Sequence, residues 1–294
     1  MNRKMIFHTL GIVLNFEAVA LVLPLFCALI YREPCANIFI ISIALCFLTG
    51  TLLTSRRIEN KTIYAKEGFV IVALSWFVIS AFGAIPFVIS GSIPNFIDAF
   101  FETASGFTTT GASILTDVEA LPKSMLFWRS FTHWIGGMGV LVLLVAILPL
   151  SGGKNMFLIR AESPGPEVNK LVSRVGSTAK ILYSMYLFIT VAEIIFLICG
   201  GFDLYEAMTI SFGTAGTGGF AILNSGLASY SPYIQVVVTV FMLLFGVDFS
   251  VYYLIIMKRF KAAVRSEEVR AYISIFTVAA VIIAVNCLSF FGSF

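Results

Sequence analysis

A chain of 294 residues that is 59% hydrophobic and only 12% charged, with mean hydropathy +0.97, carries about half the charge of an average soluble domain. That excludes a soluble globular domain, and a net charge of +3 requires no nucleic-acid partner. Apolar runs of roughly 20 residues suit a hydrocarbon core about 30 Å thick, so the predicted class is an all-α polytopic membrane protein.

The first predicted element, 6–30, has too long an apolar stretch for a signal peptide and no small-x-small cleavage pattern, so it reads as a retained helix. Further apolar windows fall near 36–54, 69–90, 125–150, 181–200, 231–257 and 271–291. Cys27, Cys35, Cys46, Cys199 and Cys287 show neither CxxC spacing nor histidine clustering and read as inert buried thiols. Between the third and fourth windows lies SGSIPNFIDAFFETASGFTTTGASILTDVEALPKS, and between the fifth and sixth lies GGFDLYEAMTISFGTAGTGGFAILNSGLASYSP. Each insert opens with a short amphipathic stretch, reaches a Gly/Thr cluster and continues into a polar loop.

The basic residues are sorted between loops. Of 19 Lys and Arg, only Arg32, Lys123 and Arg129 fall on one side; the other side is cytoplasmic by the positive-inside rule, with the N-terminus inside. The parity then requires each insert to dip into the membrane and return on the outer side. The inserts are also copies. A shift of 108 aligns Asp98 with Glu206, Ala99 with Ala207, Gly111 with Gly219, Ile114 with Ile222 and Leu115 with Leu223. The repeat unit is helix, re-entrant segment, helix. The predicted domains are two N-terminal helices over 1–67, a first repeat over 68–153, a linker and second repeat over 154–260, and a linker with the first helix of a third repeat over 261–294.

Non-helical backbone at membrane depth is tolerated only where protein buries it or where it lines a water-filled path. Carbonyl oxygens that replace a hydration shell select potassium, and glycine lets a carbonyl turn toward the ion. The candidate cation ligands are Thr108, Thr109, Thr110 and Gly111 in the first insert, and Gly216, Thr217, Gly218 and Gly219 in the second. Each short helix would end inside the membrane with its negative dipole end near the cation. Glu33, Asp98, Glu102, Asp117, Glu119, Asp203 and Glu206 read either as ordinary loop acids or, as a group, as a field that concentrates cations. GTAGTGG lacks the Lys-Ser/Thr of a phosphate loop, which argues against nucleotide.

FTTTGAS, WRSFTHWIGGMGVLVLLVAILP (128–149) and RAESPGPEVNKLVSRVGSTAKILYSMY (160–186) resemble the membrane subunit of bacterial Trk-type potassium uptake systems, in the Trk/Ktr/HKT superfamily. The resemblance covers essentially the whole chain. It implies four helix–pore–helix repeats around one pore in the bacterial inner membrane, a homodimer with a pore in each protomer, and a nucleotide-binding (NAD or ATP/ADP) regulatory subunit with Rossmann-like domains. It matches Gly111 to the first filter glycine; Gly219 follows for the second from the 108-residue shift, with Gly218 as the fallback. The sequence holds two repeats and the start of a third, and so reads as a fragment. The transported ion expected is K+, with no tightly bound cofactor.

Other residues carry open readings. Arg129 either pairs with an acid such as Glu102 or snorkels to the interface. His133 reads as a packing or hydrogen-bonding group, and Gly136, Gly137 and Gly139 as sites of close helix approach. Asp248, Glu193 and Glu17 lie inside spans, with structural pairing set against cation attraction for Asp248. The basic loops at 151–180 and 258–270 suit either a regulatory partner or lipid headgroups. The expected function is potassium transport without covalent chemistry; the rival is a membrane sensor or enzyme whose re-entrant loops bind a small ligand.

Overall fold

The computed structural model describes residues 2–55, 65–139 and 175–291, and every regular element among them is a helix. In chain order these are α1 (Arg3–Ala20), α2 (Val22–Ile30), α3 (Ala36–Thr54), α4 (Ala65–Gly83), α5 (Ile85–Ile89), α6 (Phe96–Phe107) and α7 (Lys123–Gly137). After the undescribed stretch follow α8 (Val175–Cys199), α9 (Leu204–Ala215), α10 (Pro232–Phe245), α11 (Phe249–Ile256), α12 (Phe260–Arg265) and α13 (Glu267–Phe291). The end of the 125–150 window and the AESPGP stretch lie outside the described residues.

Among the described residues, five stretches are long and apolar enough to cross a membrane: Arg3–Ile30, Ala36–Thr54, Lys66–Ile89, Lys180–Cys199 and Glu267–Cys287. The protein is a multi-pass helical membrane protein. Two of these spans are interrupted for one reason. Pro24 and Pro86 cannot donate to the carbonyl four residues back and crowd it, so α1 gives way to α2 at Leu21 and α4 to α5 at Ala84. Ile30, Leu52 and Phe188 are among the most exposed residues, as expected of groups that meet lipid.

The 231–257 window, expected as one span, is broken. α10 and α11 meet at 86° across Gly246-Val247-Asp248. The turn is held by polar groups. Tyr252 Oη donates to the Leu244 carbonyl at 2.6 Å and Tyr272 Oη to the Leu243 carbonyl at 3.2 Å, which satisfies carbonyls freed at the end of α10. Asp248 is exposed and caps α11 by accepting the Ser250 amide at 2.9 Å. Its carboxylate therefore has a helix-capping role.

The core that positions the site is aromatic. Trp128 on α7 is fully buried, donates its indole N–H to the Gly83 carbonyl at 3.0 Å, and meets Phe107 edge-on. On the other flank of α7, Trp134 stacks on Phe131 and packs against Tyr186 of α8 and Phe212 of α9. Helix α7 is thus gripped by both halves of the chain and packs on α6 and on α9. Glu193 is fully buried on α8 beside Thr214, and Glu17 is buried on α1 beside Gly83.

Candidate functional site

Helix α6 starts where Asn95 accepts the Ile97 amide at 2.8 Å. Helix α9 starts with a reciprocal capping box between Asp203 and Glu206. Each has 12 residues, about 18 Å at 1.5 Å per residue, too short to cross a bilayer. In both inserts the two ends lie close together. Residues 91–94 share a cavity of about 430 Å³ with residues 114–117, 120 and 121, and Phe202 packs edge-on against Tyr230 with ring centroids 4.7 Å apart. None of the threonine–glycine residues lines that cavity.

The two helices end in the same turn. Thr108 and Gly216 donate to the carbonyls of Ala104 and Phe212, and Thr109 and Thr217 donate to those of Gly106 and Thr214. Thr109 (φ 54°) and Thr217 (φ 53°) are left-handed, as are Gly111 (φ 75°) and Gly219 (φ 77°), and each pair is 108 residues apart. A β-branched residue in that region costs about 1–3 kcal/mol, a strain this fold holds at both copies. The backbone conformation therefore pairs Gly111 with Gly219 rather than with Gly218. The copies also touch: a Cβ on Gly111 would overlap the Gly218 carbonyl oxygen.

Thr108, Thr110, Thr217 and Gly219 are exposed, Thr109, Gly111 and Gly218 are half-buried, and Gly216 is buried against the His133 backbone. The hydroxyls of Thr108 and Thr110 hydrogen-bond one another at 2.8 Å, and that of Thr108 also donates to the Ala104 carbonyl. The Thr108 and Thr110 side chains thus brace their own turn.

Helix α7 lies behind both segments. Gly136 sits against the carbonyl of Phe107 and Gly137 against that of Ala215, the last residues of α6 and α9. The expected close approach at this glycine pair is what the structure holds. Of the two readings of Arg129, pairing is the one realised: its Nε donates to Glu102 Oε1 at 2.6 Å, with both side chains buried. Glu102 also accepts the Ser113 hydroxyl and the Ile114 amide, which pins the chain after Gly111. Arg129 Nη1 reaches across the repeats to the Ala221 carbonyl at 3.0 Å, and its guanidinium lies 3.5 Å over the Phe220 ring. His133, fully buried, packs its ring 3.9 Å from that of Phe220 and fills the space beside Gly218.

The remaining acids mostly hold structure. Glu33 accepts the Lys123 and Ser124 amides at the start of α7. Asp117 and Glu119 bind Asn224, whose side-chain oxygen accepts the Val118 amide at 2.8 Å, so one asparagine ties the two return loops together. Glu206, Asp203 and Glu119 still act together on Tyr230: its phenol is pushed up to about 12, first by burial and then by these carboxylates. Asn224→Ala is expected to lower stability by about 1 kcal/mol, the net worth of ordinary hydrogen bonds at an exposed site. Thermal denaturation in detergent measures it.

A family model described as a cation transport protein, TrkH, matches residues 35–285. The chain belongs to the TrkH family. Within it, the Trk system potassium uptake protein TrkH of Escherichia coli K12 is 36% identical over 281 residues, covering 94% of this chain and 58% of that protein. The Trk system potassium uptake protein TrkG of the same organism is 31% identical over 278 residues, covering 92% and 57%. The crystal structure of the potassium transporter TrkH from Vibrio parahaemolyticus superposes with a TM-score of 0.72 at 31% identity, over 86% of this chain and 52% of that one. The chain thus spans a little over half the length of these TrkH-family relatives. The family is one of transport proteins, in keeping with a site built from backbone rather than from a nucleophile and its base.

Proposed function

We propose that this chain supplies two of the filter segments of a potassium-translocating pore. The observation that carries the reading is the twin geometry of residues 108–111 and 216–219: strained threonines and left-handed glycines recur at a fixed spacing, and the two segments abut at Gly111 and Gly218. Carbonyls of Thr108–Gly111 and Gly216–Gly219 replace the water around a dehydrating K+, and the C-terminal ends of α6 and α9 add their negative dipole ends. The ion is cargo, held only in transit. That relatives are named potassium uptake proteins supports potassium over sodium.

In this reading the N-terminus faces the cytoplasm and both inserts open outward in the bacterial cytoplasmic membrane. Two copies assemble, and a nucleotide-binding regulatory subunit docks on the basic cytoplasmic loops. The test is rubidium uptake in cells lacking their own potassium uptake, comparing this chain with a version extended to four repeats. Uptake by the extended protein supports the reading, and silence from both versions would overturn it. In the extended protein, Gly111→Ser is expected to reduce rubidium-over-sodium preference about tenfold, or about 1.4 kcal/mol. Unchanged preference would remove Gly111 from the filter.

A further inference from the structure

We infer that Arg129, His133 and Phe220 form a brace between the repeats that fixes where the second threonine–glycine segment sits relative to the first, making them positioning residues for ion selectivity. The inference rests on the pore reading above.

The first support is that the brace breaks the repeat. The shift that superposes Thr109 on Thr217 puts Ala112 at the place of Phe220 and Ile210 at that of Glu102. Because α7 begins at Lys123 and α10 at Pro232, the offset there is 108 or 109. That sets Val237 or Val238 against Arg129, and Phe241 or Met242 against His133. A charged pair, an imidazole and a phenyl ring therefore appear where the other copy carries small or apolar groups. Duplicated packing does not call for that exchange; a contact made once, between the copies, does.

The second support is direction. Arg129 and His133 are four residues apart and share one face of α7. Both belong to the first repeat, yet both act on the second. The guanidinium lies over Phe220 and holds the Ala221 carbonyl, while the imidazole packs against Phe220 and Gly218. Phe220 is buried, and a Cβ added to Gly106 of α6 would come within 3.6 Å of its ring. Gly219, the left-handed residue, is thus flanked on both sides by residues seated on the first repeat. At the other end Arg129 grips Glu102, which holds Ser113 and Ile114 beyond Gly111. One side chain links the exits of both segments.

The test uses the version extended to four repeats and measures rubidium uptake with sodium as competitor, normalised to the amount in the membrane. Arg129→Gln and Phe220→Ala are each expected to raise the KM for rubidium, and to lower rubidium-over-sodium preference, about fivefold or more. Arg129→Lys keeps the charge but not the planar fork, so it is expected to restore membrane abundance without restoring KM. Wild-type KM and preference in Arg129→Lys and Phe220→Ala would overturn the brace. A second arm needs no transport: thermal denaturation of Glu102→Gln, Phe220→Leu and the double variant. Their effects are expected to be non-additive with Arg129 present and additive in Arg129→Gln. Additivity with Arg129 present would also overturn the brace. A wild-type protein that carries no rubidium would defeat the pore reading alone, and the denaturation cycle would still decide the brace.

Discussion

Gly218→Ala is expected to cut rubidium uptake about 100-fold, equivalent to about 2.7 kcal/mol in the transport barrier, while the protein still reaches the membrane. The added methyl would overlap His133 Nε2 and come within 2.9 Å of the Thr109 carbonyl oxygen. Neither neighbour has room to retreat. The imidazole is wedged against the Phe220 ring and the residue at Gly216, and Thr109 is already left-handed. Overpacking of this size costs about 1–3 kcal/mol of stability, which a folded protein survives, but the displacement falls on the carbonyls proposed to hold the ion. The compensating change is His133→Ala, which opens the space the methyl needs. The double variant is expected to recover at least about tenfold over Gly218→Ala alone, the signature of two residues in direct contact. Gly226→Ala is the control. Unlike Gly218 it is left-handed (φ 60°), and its Cβ would meet nothing within 4 Å, so it shows what backbone strain alone does, where Gly218→Ala brings a clash without a positive φ. Wild-type uptake in Gly218→Ala, or no recovery in the double variant, would sink the account of His133 as the wall behind the second segment.

The sequence made some of this legible and hid the rest for physical reasons. The long apolar helices declared themselves because a bilayer admits few alternatives to an uninterrupted hydrophobic helix. The twin segments were visible because glycine is needed at fixed positions where φ is positive, and so Gly111 and Gly219 stay in register. What composition could not show was the break at Gly246-Val247-Asp248. No proline marks it, and it is stabilised by Tyr252 and Tyr272, which lie 8 and 29 residues beyond the carbonyls they bind. Hydropathy registers only that the window is apolar. The structural roles of the loop acids were hidden in a similar way. As a list they suggest loop acids or a cation-gathering field; what a list cannot show is that Glu33 and Asp203 cap helices, Glu102 is buried under Arg129, and Asp117 and Glu119 hold Asn224. Phe220 went unremarked because one more phenylalanine among 29 carries no signal. The available clue was its partner in the repeat, Ala112: where duplicated segments differ most in size, one copy is filling a space the other lacks.

Glu102→Ala is expected to be the most destabilising single substitution outside the threonine–glycine segments. Its ion pair with Arg129 is buried at both ends, with 4% and 0% of the side chains exposed. Removing one partner of such a pair costs about 3–5 kcal/mol, because the other charge is left in a medium that cannot solvate it. A guanidinium does not shed its charge to escape. The Ile114 amide and the Ser113 hydroxyl lose their acceptor at the same time. Against a total stability of about 5–15 kcal/mol, this should deplete the protein from the membrane and lower its melting temperature by about 6 °C or more. Glu102→Gln keeps an acceptor for Ser113 and Ile114 and should fall between wild type and alanine. The decisive comparison is Glu102→Ala with Arg129→Met. If the damage comes from a stranded charge, removing that charge as well should return part of the stability, since a buried pair replaced by apolar groups is often close to neutral. The double variant should therefore melt above Glu102→Ala, while its rubidium preference stays impaired because the Ala221 carbonyl and the Phe220 ring have lost the group that seats them. Equal melting of the single and double variants would mean that Glu102 matters only as an acceptor for the chain beyond Gly111. Recovery of stability and selectivity together would mean that the two segments need no charged link to stay in register.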